Sequence, residues 1–258
     1  MELKKTSSKL NRSLERGMEI LRCFKPGMNL LGNSEIAERT GLAPSTISRL
    51  TQTLVLAGFL EHDKQKSAYR LAPTVLSLGH AYKTSSRELR AIEPLMRKVS
   101  EKLKVNVGLA VADRLEMVYL ESIRYTKNVA LRAVAAGQRV PIEKTSLGRA
   151  WIANLTLADR TELLLRLQAS GIKNWIQIEE EIKKAITSMA EKGYCIATWL
   201  PEISAISTSV QLSNGTYASL NFSTPAESDL NGYLENYVQA LFELKDKIES
   251  EIIKINHS

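Results

Sequence analysis

"GLAPSTISRLTQTL", residues 41–54, combines a glycine, a proline and helically spaced apolar residues in one short stretch. Gly41 is the residue type that most easily ends a helix in the left-handed conformation, and Pro44 suits the first position of the next helix. The stretch therefore predicts a helix end, a short turn and a new helix. At 100° per residue, the inward side of that new helix consists of Ile47, Leu50, Leu54 and Ala57.

The opposite side of this helix is small, polar and free of acidic groups. It carries Ser45, Ser48, Arg49 and Gln52, with Thr46 and Thr53 on its flank, and no carboxylate occurs from residue 41 to residue 60. Short hydroxyl side chains allow close approach to a groove, glutamine suits adenine, and arginine suits guanine or a phosphate. Such a face is typical of a helix that contacts DNA, although a solvated surface would also be polar.

Two further helices are predicted upstream of the turn. In "LERGMEILRCF", which follows Ser13, the residues Leu14, Met18 and Leu21 share one helical face. Asn33 or Ser34 can cap the shorter helix "SEIAERT", which ends at Gly41. A short helix, a glycine turn and a polar-faced helix together form a helix-turn-helix, whose second helix enters the major groove of DNA.

Downstream, "GFLEHDKQKSAYRL" places two short apolar stretches around a polar loop. This pattern predicts a small hairpin, or wing, whose Lys64 and Lys66 can reach the phosphate backbone. The sequence thus predicts a winged helix-turn-helix. Its candidate DNA-contacting residues are Ser34, Pro44, Ser45, Thr46, Ser48, Arg49, Gln52, Thr53, Lys64 and Lys66.

The charge distribution supports a polyanionic partner for the first third of the chain. Residues 1–90 contain 15 Lys and Arg against 8 Asp and Glu, whereas residues 91–258 contain 20 of each, so the first third carries the whole net charge of +7. The N-terminus has no apolar secretory core, and no apolar run approaches the roughly 18 residues of a membrane span. We therefore expect a cytoplasmic protein with reduced thiols and no membrane partner.

Beyond residue 92 the pattern alternates between helices and strands. "VNVGLAVAD" and "EMVYLESI" predict two strands, and three helical stretches lead to further strands in "YCIAT", "SAISTSVQL" and "TYASLNFS". A charged helix closes the chain from about Leu230. Antiparallel strands flanked by helices predict an α+β domain of the sensor type.

The same region shows no pattern of catalytic or metal-binding residues. Its strands and helices lack all three histidines of the chain, which are His62, His80 and His257. A Ser-His or Cys-His pair is thereby excluded within this domain. Neither Cys23 nor Cys195 has the spacing of a zinc ligand, and no phosphate-binding glycine loop occurs. We expect a binding protein without cofactor or metal, not an enzyme.

The hairpin "SAISTSVQLSNGTYASLNFS" leaves its own register open. A two-residue Asn214-Gly215 turn would place Ser207 opposite Phe222 and divide the polar residues between the two faces. A three-residue Ser213-Asn214-Gly215 loop would pair Ser207 with Asn221 and Ala205 with Ser223 instead. Only this second register gathers Ser207, Ser209, Ser219, Asn221 and Ser223 on one face, where they could bind a polar ligand or face solvent.

Three stretches carry a resemblance to a known family. "SLERGMEILRCF", "SEIAERTGLAPSTISRLTQTLVLAGFLEH" and "YRLAPTVLSLGHAY" resemble the DNA-binding half of the IclR-type bacterial transcriptional regulators, and the resemblance continues more weakly to the C-terminus. It implies a winged helix-turn-helix domain over residues 1–72, a linker helix over 73–91 and a GAF-like effector-binding and oligomerisation domain over 92–258. The linker helix is then expected to help the DNA-binding halves dimerise.

The resemblance also implies a ligand, a DNA target and an assembly. Family members bind small carboxylic or aromatic acids through a loop before a helix and through two strands. The matching positions here are Ser146, Leu147 and Gly148 in the loop, and Ala205, Asn221 and Ser223 on the strands, to which the hairpin adds Ser207. We expect a homodimer or tetramer on a near-palindromic operator. The alternative is a winged-helix scaffold that binds proteins and has a ligand-free GAF-like domain.

Overall fold

A computed structural model describes residues 11–125, 135–201, 203–225 and 230–256, with side chains from residue 234 in the last of these ranges. The chain divides into two compact units, Met1–Tyr82 and Lys83–Ser258. In the described parts of the chain, no helix is long and apolar enough to cross a membrane.

The first unit is a small helical domain with a three-stranded antiparallel sheet. Its core contains Ile20, Leu31, Ile36, Ile47 and Leu60, each at most 2% exposed. The strands are ordered β1-β3-β2. The elements are α1 (Arg12–Arg22), β1 (Leu31–Gly32), α2 (Asn33–Thr40), α3 (Pro44–Leu56), β2 (Leu60–Asp63), β3 (Ala68–Leu71) and α4 (Thr74–Ser85), of which α4 continues to the unit boundary.

The predicted turn between α2 and α3 is confirmed. Gly41 has φ +66° and donates its N–H to the carbonyl of Ala37 at 2.8 Å, which closes the end of α2. Pro44 is the first residue of α3. The start of α2 differs from the prediction, because Gly32 is the N-cap and donates its backbone N–H to the Glu35 carboxylate at 2.8 Å.

Helix α1 buries a different face from the predicted one. Leu14 and Met18 are 58% and 47% exposed, whereas Ile20 is fully buried together with Gly17. The helix also begins earlier, because the Asn11 side chain accepts hydrogen bonds from two backbone N–H groups of the first turn. Apolar residues lie on both sides of this helix, so spacing alone could not identify the side that meets α2 and α3. Ala57, predicted to face inward on α3, is exposed at the C-cap.

The second unit is an antiparallel sheet between two layers of helices. Its strand order is β6-β5-β4-β9-β8-β7. The elements are α5 (Arg87–Leu103), β4 (Asn106–Asp113), β5 (Glu116–Ile123), β6 (Arg139–Pro141), α6 (Ser146–Ala153), α7 (Leu157–Ala169), α8 (Trp175–Lys192), β7 (Cys195–Leu200), β8 (Ile203–Gln211), β9 (Tyr217–Pro225) and α9 (Leu230–Asn256). The expected α+β class with an antiparallel sheet is confirmed.

Each sheet face has its own apolar core. Phe222 and Leu109 pack with Met96 of α5 and Leu244 of α9 on one face. Met117, Tyr119 and Ala110 pack with residues of α6, α7 and α8 on the other face. The single linker helix predicted over 73–91 is instead two helices, α4 and α5, separated by Ser86, which caps α5 by accepting from the Leu89 N–H at 3.2 Å.

The β8–β9 hairpin adopts the second of the two predicted registers. Ser207 pairs with Asn221 and Ala205 pairs with Ser223. The Leu212 N–H donates to the Thr216 carbonyl at 2.8 Å and encloses a three-residue loop, in which Gly215 has φ +77°. Five small polar residues of the two strands therefore share one sheet face, which packs against α6, namely Ser207, Ser209, Ser219, Asn221 and Ser223.

Candidate functional site

The outer face of α3 is accessible over its full length. Ser45, Ser48, Arg49, Gln52 and Thr53 are exposed, and Thr46 is half-buried. The inward residues Ile47, Leu50 and Leu54 fix the helix against the core of the first unit. This helix thus presents short polar groups and one cation on a rigid element.

Two of these polar side chains already have intramolecular partners. The Ser48 hydroxyl accepts from the Asn33 amide at 3.2 Å, which ties the start of α2 to α3. The Thr53 hydroxyl donates to the Arg49 carbonyl at 3.0 Å. Ser48 keeps a hydroxyl proton for a second partner, because it is the acceptor in its bond with Asn33.

The predicted wing is the loop between β2 and β3. The Asp63 carboxylate accepts from the backbone N–H groups of Gln65 and Lys66, both at 3.1 Å, and so shapes the loop. Lys64 and Lys66 are exposed beside it, as is Ser34 at the start of α2. The wing and α3 belong to the same compact unit.

In the second unit, a buried strip of hydroxyl groups lies between the β8–β9 hairpin and α6. Ser207 is fully buried and donates to the Ser146 hydroxyl at 2.7 Å. The Ser209 hydroxyl donates to the Ala150 carbonyl at 3.3 Å and accepts from the Asn154 amide. These bonds join the sheet to α6, so this part of the strip is structural and does not face solvent.

A cavity of about 100 Å³ opens where this strip ends, beside the first turn of α6. Its walls come from β5, β6, β8, β9, the end of β7 and the start of α6. The lining residues are Tyr119, Arg124, Gln138, Val140, Thr145, Ser146, Leu147, Trp199, Leu200, Ile203, Ala205, Asn221 and Ser223. Apolar and hydrogen-bonding groups both face this space, which suits a small amphipathic ligand.

Close approach of the chain at two glycines shapes the cavity. A Cβ on Gly148 would lie 1.9 Å from the Ile142 carbonyl oxygen, so α6 can begin here only with glycine at this position. A Cβ on Gly108 would lie 2.5 Å from both the Asn221 side-chain oxygen and Cε1 of Tyr119. Gly108 therefore leaves the room that these two cavity residues occupy.

Tyr119 and Arg124 form the most polar corner of the cavity. The Arg124 guanidinium carbon lies 5.5 Å from the centre of the Tyr119 ring. The Tyr119 side chain also hydrogen-bonds the side chains of Arg124 and Asn221. Burial raises the pKa of Tyr119 and lowers that of Arg124, and in both cases the contact between the two side chains opposes the shift.

Five of the seven predicted effector residues line this cavity, namely Ser146, Leu147, Ala205, Asn221 and Ser223. Gly148 and Ser207 do not line it. The Gly148 N–H donates to the Thr145 hydroxyl at 3.2 Å, and the Ser207 hydroxyl donates to the Ser146 hydroxyl.

Sequence reasoning missed Tyr119, Arg124 and Trp199, which also line the cavity. One signal was present, since Gly108 interrupts a strand of β-branched and aliphatic residues, and glycine inside a strand often marks a close approach. Arg124 follows the end of β5 and has no sequence signature.

The thiols and acidic side chains give no indication of catalysis. Burial raises the pKa of Cys195 to about 12, and its thiol donates to the Ser146 carbonyl at 3.4 Å. Among the described residues, no group of three His, Cys, Asp or Glu side chains is placed to hold a metal ion.

Comparison with known proteins identifies the family of this chain. The model of the IclR helix-turn-helix domain matches residues 13–64, and that of the bacterial transcriptional regulator IclR C-terminal domain matches residues 81–249. The chain belongs to the IclR family. As such it is a helix-turn-helix DNA-binding transcriptional regulator and not an enzyme, which favours regulation over the protein-interaction scaffold.

Individual relatives agree with this assignment. The HTH-type transcriptional regulator TsaQ1/TsaQ2 of Comamonas testosteroni is 32% identical over 76% of this chain and 70% of its own length. The transcriptional repressor IclR of Escherichia coli is 25% identical over 71% of this chain and 68% of its own.

Two solved IclR-family structures share the fold. That of a regulator from Brucella abortus has a TM-score of 0.88 at 30% identity, and the match covers 97% of this chain and 96% of that one. An IclR homologue from Microbacterium hydrocarbonoxydans, complexed with 4-hydroxybenzoate, has a TM-score of 0.69 at 22% identity and covers 94% and 99% of the two chains.

Proposed function

We propose that this IclR-family regulator binds a near-palindromic operator through α3 and the wing, and that a small acid in the cavity beside α6 alters that binding. The observation that carries the ligand proposal is the cavity itself. Buried strands and the first turn of a helix enclose it, and Ser146, Leu147, Ala205, Asn221 and Ser223 line it. The amides of Ser146 and Leu147 lie in the first turn of α6, where a carboxylate is favoured.

On DNA, α3 would occupy the major groove, with Ser34, Pro44, Ser45, Thr46, Ser48, Arg49, Gln52 and Thr53 near the bases and backbone and with Lys64 and Lys66 on phosphates. Of these, the three cations are exposed, and no ion pair engages them within the described ranges. No ion pair therefore has to be broken before these cations meet phosphates.

We infer a cytoplasmic homodimer or tetramer, as a two-fold operator requires. Helix α4 supports this, because Leu78 and Tyr82 lie one turn apart on the same face and are 56% and 57% exposed, and the helix has no buried residue in the described chain. A second copy of α4 would cover this apolar surface. Two bound half-sites would then lie about one DNA turn, or a multiple of it, apart.

The test uses the full-length chain and a fragment of the promoter region upstream of its own gene. Affinity should fall steeply as salt rises, because each phosphate contact releases a counterion. A 4-hydroxybenzoate or benzoate titration should then change that affinity. Binding that is insensitive to salt would contradict the DNA interface, whereas salt-sensitive binding that no small acid changes would contradict the ligand.

A further inference from the structure

The cavity beside α6 has a one-sided charge. Among the described residues that line it, Arg124 is the one charged side chain, and none of them carries a carboxylate. A cationic ligand would meet a like charge there. An anion would meet a guanidinium, the side chain whose planar fork best matches a carboxylate.

Arg124 is held in place by ordered neighbours. Its guanidinium lies over the Tyr119 ring at 5.5 Å and bonds to the side chain of this residue, which also bonds Asn221. Tyr119 and Asn221 are 7% and 4% exposed and stand on β5 and β9, two interior strands of the sheet. Because these neighbours hold the Arg124 guanidinium in place, it loses little conformational entropy when a ligand binds.

Other lining residues differ in chemistry from Arg124 and Tyr119. Val140, Leu147, Leu200 and Ile203 are apolar, with Trp199 beside them. The volume of about 100 Å³ is well below the roughly 300–1,000 Å³ of pockets that take drug-sized ligands, so the ligand has at most one ring. A second carboxylate would find no further charged partner among the described lining residues, so its burial would be costly.

We propose that Arg124, supported by Tyr119, recognises the charge of the effector, so that the protein accepts a compact monocarboxylate and rejects its amide and the corresponding dicarboxylate. This inference rests on the proposed ligand function of the cavity. The Arg124 guanidinium then distinguishes the monocarboxylate from its amide and from the dicarboxylate, and the α6 amides contribute only hydrogen bonds to the ligand.

The experiment compares benzoate, benzamide and terephthalate on the full-length chain by calorimetric titration. The wild type should bind benzoate most tightly, with benzamide and terephthalate weaker by about tenfold or more. Arg124→Gln should weaken benzoate binding about 10- to 100-fold, the scale of hydrogen bonds to a charged group, and leave benzamide unchanged. Arg124→Lys, which keeps the charge, should retain part of the preference.

Arg166→Gln on the exposed surface of α7 is the matched control and should behave as wild type. The benzoate-to-benzamide ratio is the decisive readout, because a general structural defect weakens both ligands alike. An unchanged ratio in Arg124→Gln overturns the inference and points to the α6 amides.

Other ligands separate this inference from the function on which it rests. If benzamide or terephthalate binds as tightly as benzoate while benzoate still alters DNA affinity, the inference fails and the proposed function stands. If none of the three compounds, nor pyruvate or 4-hydroxybenzoate, changes DNA affinity, both the ligand function and the inference fail, while DNA binding is measured independently.

Discussion

Gly108→Ala tests whether the cavity depends on the absence of a Cβ at position 108. Gly108 lies in β4 and pairs with Asn221 of β9. An added Cβ would lie 2.5 Å from the Asn221 side-chain oxygen and 2.5 Å from Cε1 of Tyr119, both in buried side chains. To restore ordinary contact near 3.5 Å, these groups must move by about 1 Å.

The expected magnitude follows from overpacking. An extra methyl in a close-packed interior costs about 1–3 kcal/mol, and replacing glycine in a strand returns about 0.5–1 kcal/mol of backbone entropy. The midpoints of these ranges give a net loss of about 1 kcal/mol, which corresponds to a fall of roughly 2–4 °C in the melting temperature of the second unit. Because Tyr119 and Asn221 line the cavity, benzoate affinity should fall with it.

Thermal unfolding followed by circular dichroism, together with benzoate titration, measures both effects. Gly17→Ala in α1 is the control, because a Cβ there has nothing within 4 Å. It should leave ligand binding unchanged and stabilise the first unit by up to about 1 kcal/mol through helix propensity. Wild-type melting and wild-type benzoate affinity in Gly108→Ala would refute the argument.

Three further predictions concern DNA contact, an ion pair and a thiol. Arg49→Ala should cost about 1–3 kcal/mol of operator binding and little on random DNA if the side chain contacts a base, and an equal loss on both in mobility-shift titrations would assign it to phosphate instead. Lys83 lies 2.8 Å from the Glu121 carboxylate, and their side chains are 49% and 6% exposed. Lys83→Met should therefore lower the free energy of unfolding in urea by about 1–3 kcal/mol, because it leaves the buried Glu121 carboxylate without its partner. Glu121→Gln should lower it by less, and the reverse order would contradict this reasoning. Cys195, with a pKa of about 12, should resist a thiol reagent at pH 8 until the chain is unfolded, and rapid labelling of the native protein would show that it is accessible.

The helix-turn-helix could be predicted because its signals are local. The left-handed conformation at Gly41 and the proline at the first position of α3 depend only on their own backbone geometry. The buried side of α1 could not be predicted in the same way. Leu14 and Ile20 are both apolar, and only packing against α2 and α3 decides that Ile20 is buried.

The hairpin and the cavity show where local signals end. Both turn lengths around Asn214 and Gly215 obey ordinary turn rules, and a shift of one residue exchanges the faces of the whole strand. The observed register satisfies Ser207 through Ser146, a partner 61 residues away. A contact between residues so far apart cannot be predicted from a short stretch of sequence.

The use of polar residues also separates structure from recognition within the cavity region. The Ser207 hydroxyl donates to the Ser146 hydroxyl, and the Ser209 hydroxyl donates to the Ala150 carbonyl, both on α6. A ligand that bound either serine would have to break a buried hydrogen bond. Ala205 and Ser223, on the same face but past the start of α6, line open space instead. The position of α6 along the hairpin therefore divides one polar strip into a structural half and a half that lines the cavity, which Arg124 lines as well.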